Sequence, residues 1–176
     1  LVAEWNHGIA RDDKFKLASA CKSIYSCVLA NAVEEGKLPS ADAKVIDYYP
    51  AFVDVPENAG PKPGRYAFPK DRDITFRHLI SNTSGYMKPG ENPGQVFHYQ
   101  TYGMNVLAHA LATIYGTYDI NNPKGSPGLL PVIQRMFGNR IGVSWDPYQF
   151  NFDLQPGARL NIFGFYDGQL STALDM

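Results

Sequence analysis

The period of hydrophobic and polar positions changes near residue 19. Before it, LVAEWNHG and KFKLAS alternate apolar and polar side chains around a polar turn, which predicts a β-hairpin over residues 1–18. After Ser19, apolar residues recur at every fourth position from Ala20 to Ala32, and Gly36 supplies a stop. We therefore expect a buried helix directly after the hairpin.

The middle of the chain contains a long segment without a sustained period. Residues 37–73 are rich in Pro, Gly, Asp and Lys, which predicts an irregular connection. Short helices are expected after Thr75 as N-cap, from Gly103 to Tyr115, and in GLLPVIQRMFG with Pro131 in the first turn. Residues 138–168 are rich in aromatic residues, Asn and Gly, which is typical of strands or loops.

Composition limits the classes of function. The 176 residues are 44% hydrophobic and 19% charged, with a formal net charge of −1, as in an ordinary single globular domain. No basic patch indicates a nucleic-acid partner, and no apolar run indicates a membrane span. Cys21 and Cys27 lack the spacing of a disulfide or zinc site, so neither a metal nor a cofactor is expected. His78 and His109 lie among apolar neighbours and are expected to be packed or surface residues.

Ser19 and Lys22 stand one helical turn apart at the start of the predicted helix. Residues i and i+3 are neighbours on a helix, so the Lys22 amine can reach the Ser19 hydroxyl. A serine in the first turn also faces unpaired backbone N–H groups, which favour an oxyanion. Lys22 can activate the hydroxyl if burial makes its ammonium easier to deprotonate. The pair is either a nucleophile with its base or a helix cap beside a surface charge.

Four segments occur in the order of landmarks of a known superfamily: FKLASACKSIYSCVLANAVEEGKL, ITFRHLISNTSGY, FHYQTYGMNVLAHAL and GQLSTALDM. They resemble the serine hydrolases that include class C beta-lactamases, DD-peptidases (penicillin-binding proteins) and related esterases and amide hydrolases. The resemblance covers most of the chain. It implies an α+β, beta-lactamase/DD-peptidase-like fold with a helical region and part of an antiparallel sheet. Residues 1–176 would form one partial domain, with a mostly helical and loop insertion region at residues 37–170.

The resemblance also implies the site residues. In the S-x-x-K motif, Ser19 would be the acylated nucleophile and Lys22 its activating partner. The second family motif matches YQT, so Tyr99 would be the proton shuttle and Thr101 its polar, substrate-binding companion. His98 would line the cleft and contact substrate, or else face solvent. A phenol is a weak base unless a cation stabilises its phenolate, so we expect Tyr99 to lie close to Lys22.

The third family motif, a basic residue or His, a variable residue and Gly on a late strand, is not found. The letters KPG occur at residues 62–64 and 88–90, but both precede Tyr99 and contain a Pro unsuited to an inner strand. We therefore expect a fragment that lacks the C-terminal strands of the fold. The family's second oxyanion-hole N–H would lie on one of those strands.

These features predict a metal-independent serine hydrolase that cleaves an ester or amide bond through an acyl-enzyme on Ser19. A small ester or linear amide is the first expectation, because Thr at position 101 resembles the esterase and amide-hydrolase branches more than the beta-lactamases; a beta-lactam or peptidoglycan peptide is the next. The alternative is an inactive homologue that binds a ligand or partner through the cleft. The resemblance implies a periplasmic or secreted protein, although no signal peptide occurs in this segment. The oligomeric state is not determined by the sequence.

Overall fold

Helices make up most of the regular structure in the part of the chain that the computed structural model describes, namely residues 8, 15–16, 19, 22–122, 125–142, 145–147 and 165–167. The helices are α1 (Lys22–Glu34), α2 (Phe76–Ile80), α3 (Thr101–Ile114), α4 (Leu130–Ile133) and α5 (Asn139–Ile141). The strands are β1 (Phe15–Lys16), β2 (Trp145–Pro147) and β3 (Phe165–Asp167). The strands form an antiparallel sheet in the order β1-β3-β2, with Asp167 opposite both Phe15 and Trp145.

Helix α1 spans Lys22–Glu34 in the described part of the chain. Its apolar stripe does form as expected, because Tyr25, Val28, Leu29 and Ala32 are all buried. Ser19 has a 3-10 conformation, and residues 20 and 21 lie outside the described part of the chain, so its place in the first turn of α1 stays a prediction.

The irregular connection predicted for residues 37–73 is confirmed. It contains 3-10 turns at Val45–Asp47, Pro50–Val53, Glu57–Ala59 and Pro69–Asp73, without a longer helix or a named strand between them. The segment is nevertheless part of the core, since Val45, Phe52 and Val55 are buried. The connection therefore covers the core rather than running free over the surface.

Helix α2 begins as the sequence predicts, with Thr75 as its N-cap. Thr75 Oγ1 accepts a hydrogen bond from the His78 N–H at 3.3 Å, and the Thr75 N–H donates to His78 Nδ1 at 3.2 Å. This reciprocal pair is a capping box, in which each side chain satisfies a backbone N–H of the other residue. His78 is thus a structural partner of the helix start, and partial burial lowers its pKa.

Helix α3 is the most deeply buried element of the described structure. All of its residues from Gly103 to Ala112 are buried, including His109, which lies between the rings of Tyr49 and Tyr118. Burial lowers the pKa of His109 from 6.5 to about 4. Pro131 occupies the first turn of α4, as predicted, where its missing N–H costs no helical hydrogen bond.

Some of the sequence predictions fall outside the described residues. These are the strand at residues 1–7, the position of Cys21, and the GQLSTALDM segment at residues 168–176. Cys27 does lie within the described part, where it is a free and exposed thiol. None of the helices in that part has both the length and the apolar character needed to cross a bilayer.

Candidate active site

Ser19 and Lys22 are joined by a short hydrogen bond. Lys22 Nζ donates to Ser19 Oγ at 2.6 Å. Ser19 is exposed, whereas only 9% of Lys22 is exposed, so the hydroxyl is reachable from solvent and the amine lies against the protein. A hydrogen bond from a charged donor favours negative charge on the accepting oxygen. The arrangement can therefore stabilise a serine oxygen as it loses its proton.

Tyr99 comes to the same place from a distant part of the chain. Lys22 Nζ lies over the Tyr99 ring, 5.1 Å from its centroid, within the range of a cation–π contact. The side chain of Tyr99 is 53% exposed, so the ring borders solvent on the side away from the protein. A hydroxyl, an ammonium and a phenol thus lie together at the start of α1.

Thr101 and His98 flank Tyr99 but lie in different surroundings. Thr101 is the first residue of α3 and is half-buried, so the helix begins two residues beyond Tyr99. His98 contacts the Lys88 ammonium, and its Nδ1 lies 3.4 Å from the Glu91 carboxylate. Among the described residues, His98 therefore contacts a neighbouring charged cluster.

The charged cluster of Lys88, Glu91 and His98 was not predicted from the sequence. Lys88 Nζ donates to Glu91 Oε1 at 3.3 Å, and the Lys88 side chain is largely buried. The second carboxylate oxygen of Glu91 is also buried, with no hydrogen-bond partner among the described residues. A pattern could have pointed to this cluster, since its members lie within the eleven residues before Tyr99.

A buried carboxylate supports the loop that leads into this region. Asp71 is fully buried and accepts hydrogen bonds from the N–H groups of Phe68 at 2.9 Å and Met87 at 3.3 Å. Lys70 Nζ donates to Asp71 Oδ1 at 2.8 Å and to the Gly85 carbonyl at 2.7 Å. The ion pair therefore fixes residues 85–87, which directly follow the SNTS sequence, to the 3-10 turn at Pro69–Asp73.

A cleft lies away from the Ser19–Lys22 pair. It has a volume of about 420 Å³ and is lined by residues of α1 and of the segment around α5, among them Cys27, Glu34, Arg135 and Arg140. Neither Ser19 nor Tyr99 lines it. Among the residues that the structure describes, no group of three or more His, Cys, Asp and Glu side chains could hold a metal ion.

Comparison with protein families places this site in a known context. A family model for beta-lactamases matches residues 3–119. The chain belongs to the beta-lactamase family. The matched segment contains Ser19, Lys22, Tyr99 and Thr101, and the resemblance inferred from the four sequence landmarks is confirmed.

Two relatives show how far the likeness extends. The chain is 34% identical over 96 residues to beta-lactamase-like protein 1 of Dictyostelium discoideum, covering 51% of this chain and 15% of that protein. The fold of this chain is similar to that of a penicillin-binding protein from Bacillus halodurans, with a TM-score of 0.59 and 17% sequence identity. The match covers 90% of this chain and 56% of the penicillin-binding protein. The beta-lactamase/DD-peptidase-like fold is therefore shown. The chain spans only part of each relative.

Proposed function

We propose that this chain carries the acylation site of a serine hydrolase, with Ser19 as nucleophile, Tyr99 as the group that moves the proton and Lys22 as the ammonium that stabilises its phenolate form. The family and the fold both support a serine-hydrolase type of function. The observation that carries the proposal is the contact set around Lys22 Nζ, 2.6 Å from Ser19 Oγ and 5.1 Å from the Tyr99 ring centroid. An ammonium in that place lowers the cost of removing a proton from either oxygen.

The first half-reaction forms an ester on Ser19. Ser19 Oγ attacks the carbonyl carbon of the substrate, and its proton passes to the Tyr99 oxygen, whose phenolate form is stabilised by the Lys22 ammonium. The bond from the carbonyl carbon to the leaving oxygen or nitrogen then breaks. Tyr99 donates the proton to that departing atom, so an alcohol or amine leaves and an acyl group stays on Ser19.

The second half-reaction returns the enzyme to its starting state. Water gives a proton to the Tyr99 oxygen as it attacks the acyl carbonyl carbon. The bond to Ser19 Oγ breaks, and the serine oxygen takes back the proton from Tyr99. A carboxylic acid leaves, and no redox partner is needed at either step. The exposure of Ser19 and Tyr99 supports access of both substrate and water.

A small carboxylic ester or a linear amide is the proposed substrate class. Thr101 is the residue that favours it, because the beta-lactamase and peptidase branches commonly carry Asn at this position of the motif. A beta-lactam or a peptidoglycan peptide is the next candidate. Turnover of p-nitrophenyl esters, anilides and nitrocefin under the same conditions would rank these substrate classes.

Covalent labelling of Ser19 tests the proposal. The protein is incubated with a fluorophosphonate and with a fluorescent penicillin, digested with trypsin, and mapped by mass spectrometry. Cleavage after Lys16 and Lys22 places Ser19 in the peptide LASACK, whereas Ser23 falls in the next peptide, residues 23–37. The expected result is one added probe mass on LASACK, located on Ser19 by fragment ions.

Two variants complete the labelling experiment. Ser19→Ala removes the nucleophile and should abolish labelling, whereas Ser23→Ala changes an exposed serine on α1 and should label like the original protein. Absence of any adduct on Ser19 with both probes would overturn the enzymatic proposal. That outcome would favour the alternative, an inactive homologue that binds a ligand or partner through the cleft.

A further inference from the structure

The segment that carries Tyr99 is not held by burial of its side chains. Residues 95–99 are all exposed, and Phe97 and Tyr99 keep 70% and 53% of their surface in contact with solvent. A ring with this much exposed surface has little packing to fix it. The backbone hydrogen bonds of its neighbours in the chain therefore contribute to its place over Lys22.

Asn82 bonds to the residues on both sides of Tyr99. The His98 N–H donates to the Asn82 carbonyl at 2.8 Å, and the Gln100 N–H donates to the Asn82 side-chain oxygen at 3.4 Å. The backbone N–H groups on both sides of Tyr99 are thus hydrogen-bonded to the same residue, Asn82. Asn82 itself has φ of 56°, a left-handed conformation that Asn adopts more readily than most residues.

The Gln100 side chain supplies a second anchor. Its amide is buried next to Ser84 Oγ and the backbone of Tyr86. The amide oxygen faces the Tyr86 N–H at 3.3 Å and Ser84 Oγ at 3.2 Å, and the amide nitrogen faces the Tyr86 carbonyl at 3.2 Å. A buried amide with all of these partners has one well-defined position, because any displacement leaves polar groups unpaired.

We propose that Asn82 and Gln100 are positioning residues that fix the Tyr99 phenol beside the Lys22 ammonium. They touch neither Ser19 nor the reacting bond in this scheme, and act through the backbone on each side of Tyr99. The catalytic part of the inference rests on the proposed role of Tyr99 in proton transfer. The SNTSGY turn at residues 81–86, which follows α2, would then hold the proton-shuttle residue Tyr99 in place.

Asn82→Gly is the sharpest variant, because Gly tolerates the positive φ and keeps the backbone carbonyl while the side-chain oxygen is lost. A displacement of reacting groups by about 1 Å can cost about 10²-fold in rate. We expect the maximal rate of Ser19 labelling by a fluorophosphonate to fall about 10-fold in Asn82→Gly and about 10²-fold in Gln100→Met. The probe concentration giving half-maximal rate should change little.

Two further variants separate positioning from general damage. Asn82→Asp keeps both the acceptor oxygen and the tolerance of positive φ, so it should retain most of the labelling rate. Asn58→Gly makes the same substitution as Asn82→Gly in the exposed turn at Glu57–Ala59 and should have no effect. Equal losses in Asn82→Gly and Asn82→Asp, or no loss in Asn82→Gly and Gln100→Met, would overturn the rate prediction.

A readout that does not need activity distinguishes this inference from the proposed function. In protein labelled with 3-fluorotyrosine, the fluorine NMR line missing from Tyr99→Phe belongs to Tyr99. That line should move towards the position of free fluorotyrosine in Asn82→Gly and in Gln100→Met, and stay in place in Asn58→Gly. An unmoved Tyr99 line in both variants would refute the positioning role, even if Ser19 forms an adduct. A moved line without any Ser19 adduct would support positioning and refute the hydrolase proposal.

Discussion

Two adjacent stretches of the chain are stabilised in opposite ways. Residues 95–99 are exposed throughout, whereas α3 is buried from Gly103 to Ala112. Packing fixes the helix, and hydrogen bonds to the Asn82–Ser84 turn fix the exposed segment in front of it. The difference teaches that stability and the proposed chemistry depend on different residues, although those residues are close in sequence. Substitutions should therefore separate the two properties.

The largest effect on folding is expected from the buried half of this pair. Leu107 is fully buried at the centre of α3, and truncation of such a side chain to Ala costs roughly 2–5 kcal/mol of unfolding free energy. Phe97→Ala is the matched change in the exposed half and should alter the unfolding free energy by no more than about 0.5 kcal/mol. Urea unfolding of both variants measures the contrast. Equal destabilisation would show that residues 95–99 are packed as tightly as the helix.

A second effect depends on pH and comes from the interior of α3. His109 is fully buried, its Nδ1 lies 2.6 Å from the Asn105 carbonyl oxygen, and burial lowers its pKa to about 4. The unfolded chain takes up this proton near its ordinary pKa of 6.5, so the unfolded state binds more protons between those two values. The stability that the neutral ring contributes is present above about pH 6.5 and is lost as pH falls towards 4.

The loss from this one group should be roughly 3 kcal/mol across that pH interval. It is measured by urea unfolding between pH 7 and pH 4, with His109→Gln as the variant that cannot titrate. The decrease in unfolding free energy between pH 7 and pH 4 should be smaller in His109→Gln than in the original protein. An unchanged pH dependence would mean that His109 is accessible to protons in the folded protein.

The smallest effect is expected at the surface, where neither packing nor the site is involved. Arg77 and Asp42 form a bidentate ion pair, in which Arg77 Nε donates to Asp42 Oδ1 at 2.6 Å and Arg77 Nη2 donates to Asp42 Oδ2 at 2.9 Å. Both side chains are nevertheless 61% exposed. The Arg77 guanidinium lowers the pKa of Asp42, yet water and salt screen a pair of this kind. Asp42→Asn should leave the unfolding midpoint unchanged within error at 0.15 M salt. A clear decrease would show that this contact between residue 42 and α2 is structural.

The sequence predicted correctly those features that depend only on a few neighbouring residues. The Thr75 cap, the place of Pro131 in α4 and the irregular segment at residues 37–73 each follow from a few neighbouring residues, and each is confirmed. The buried face of α1 also follows from the apolar period, since Val28 and Ala32 are buried as expected.

Contacts between distant residues were the ones that the sequence could not supply. Asp71 reaches the Met87 N–H, and Lys88 meets His98 and Glu91, only because the loops fold back on one another. Nothing in the spacing of Asp71 and Met87 marks them as partners, whereas Lys88, Glu91 and His98 lie within one stretch of eleven residues. The meeting of Tyr99 with Lys22 was expected from family resemblance alone, since no local rule joins an exposed segment to a helix start so far away in the chain.

The central claim is that Lys22 and Tyr99 serve Ser19 as one unit, and a double-mutant cycle tests it most directly. The measured quantity is the rate of fluorophosphonate labelling of Ser19 in the original protein, Lys22→Met, Tyr99→Phe and the double variant. Each single change should slow labelling by about 10²-fold or more, since proton-transfer groups typically contribute that much. The double variant should be no more than about tenfold slower than the worse single one, because groups that act together are not additive. Rates that multiply, or a Tyr99→Phe variant that labels at the original rate, would contradict a shared role.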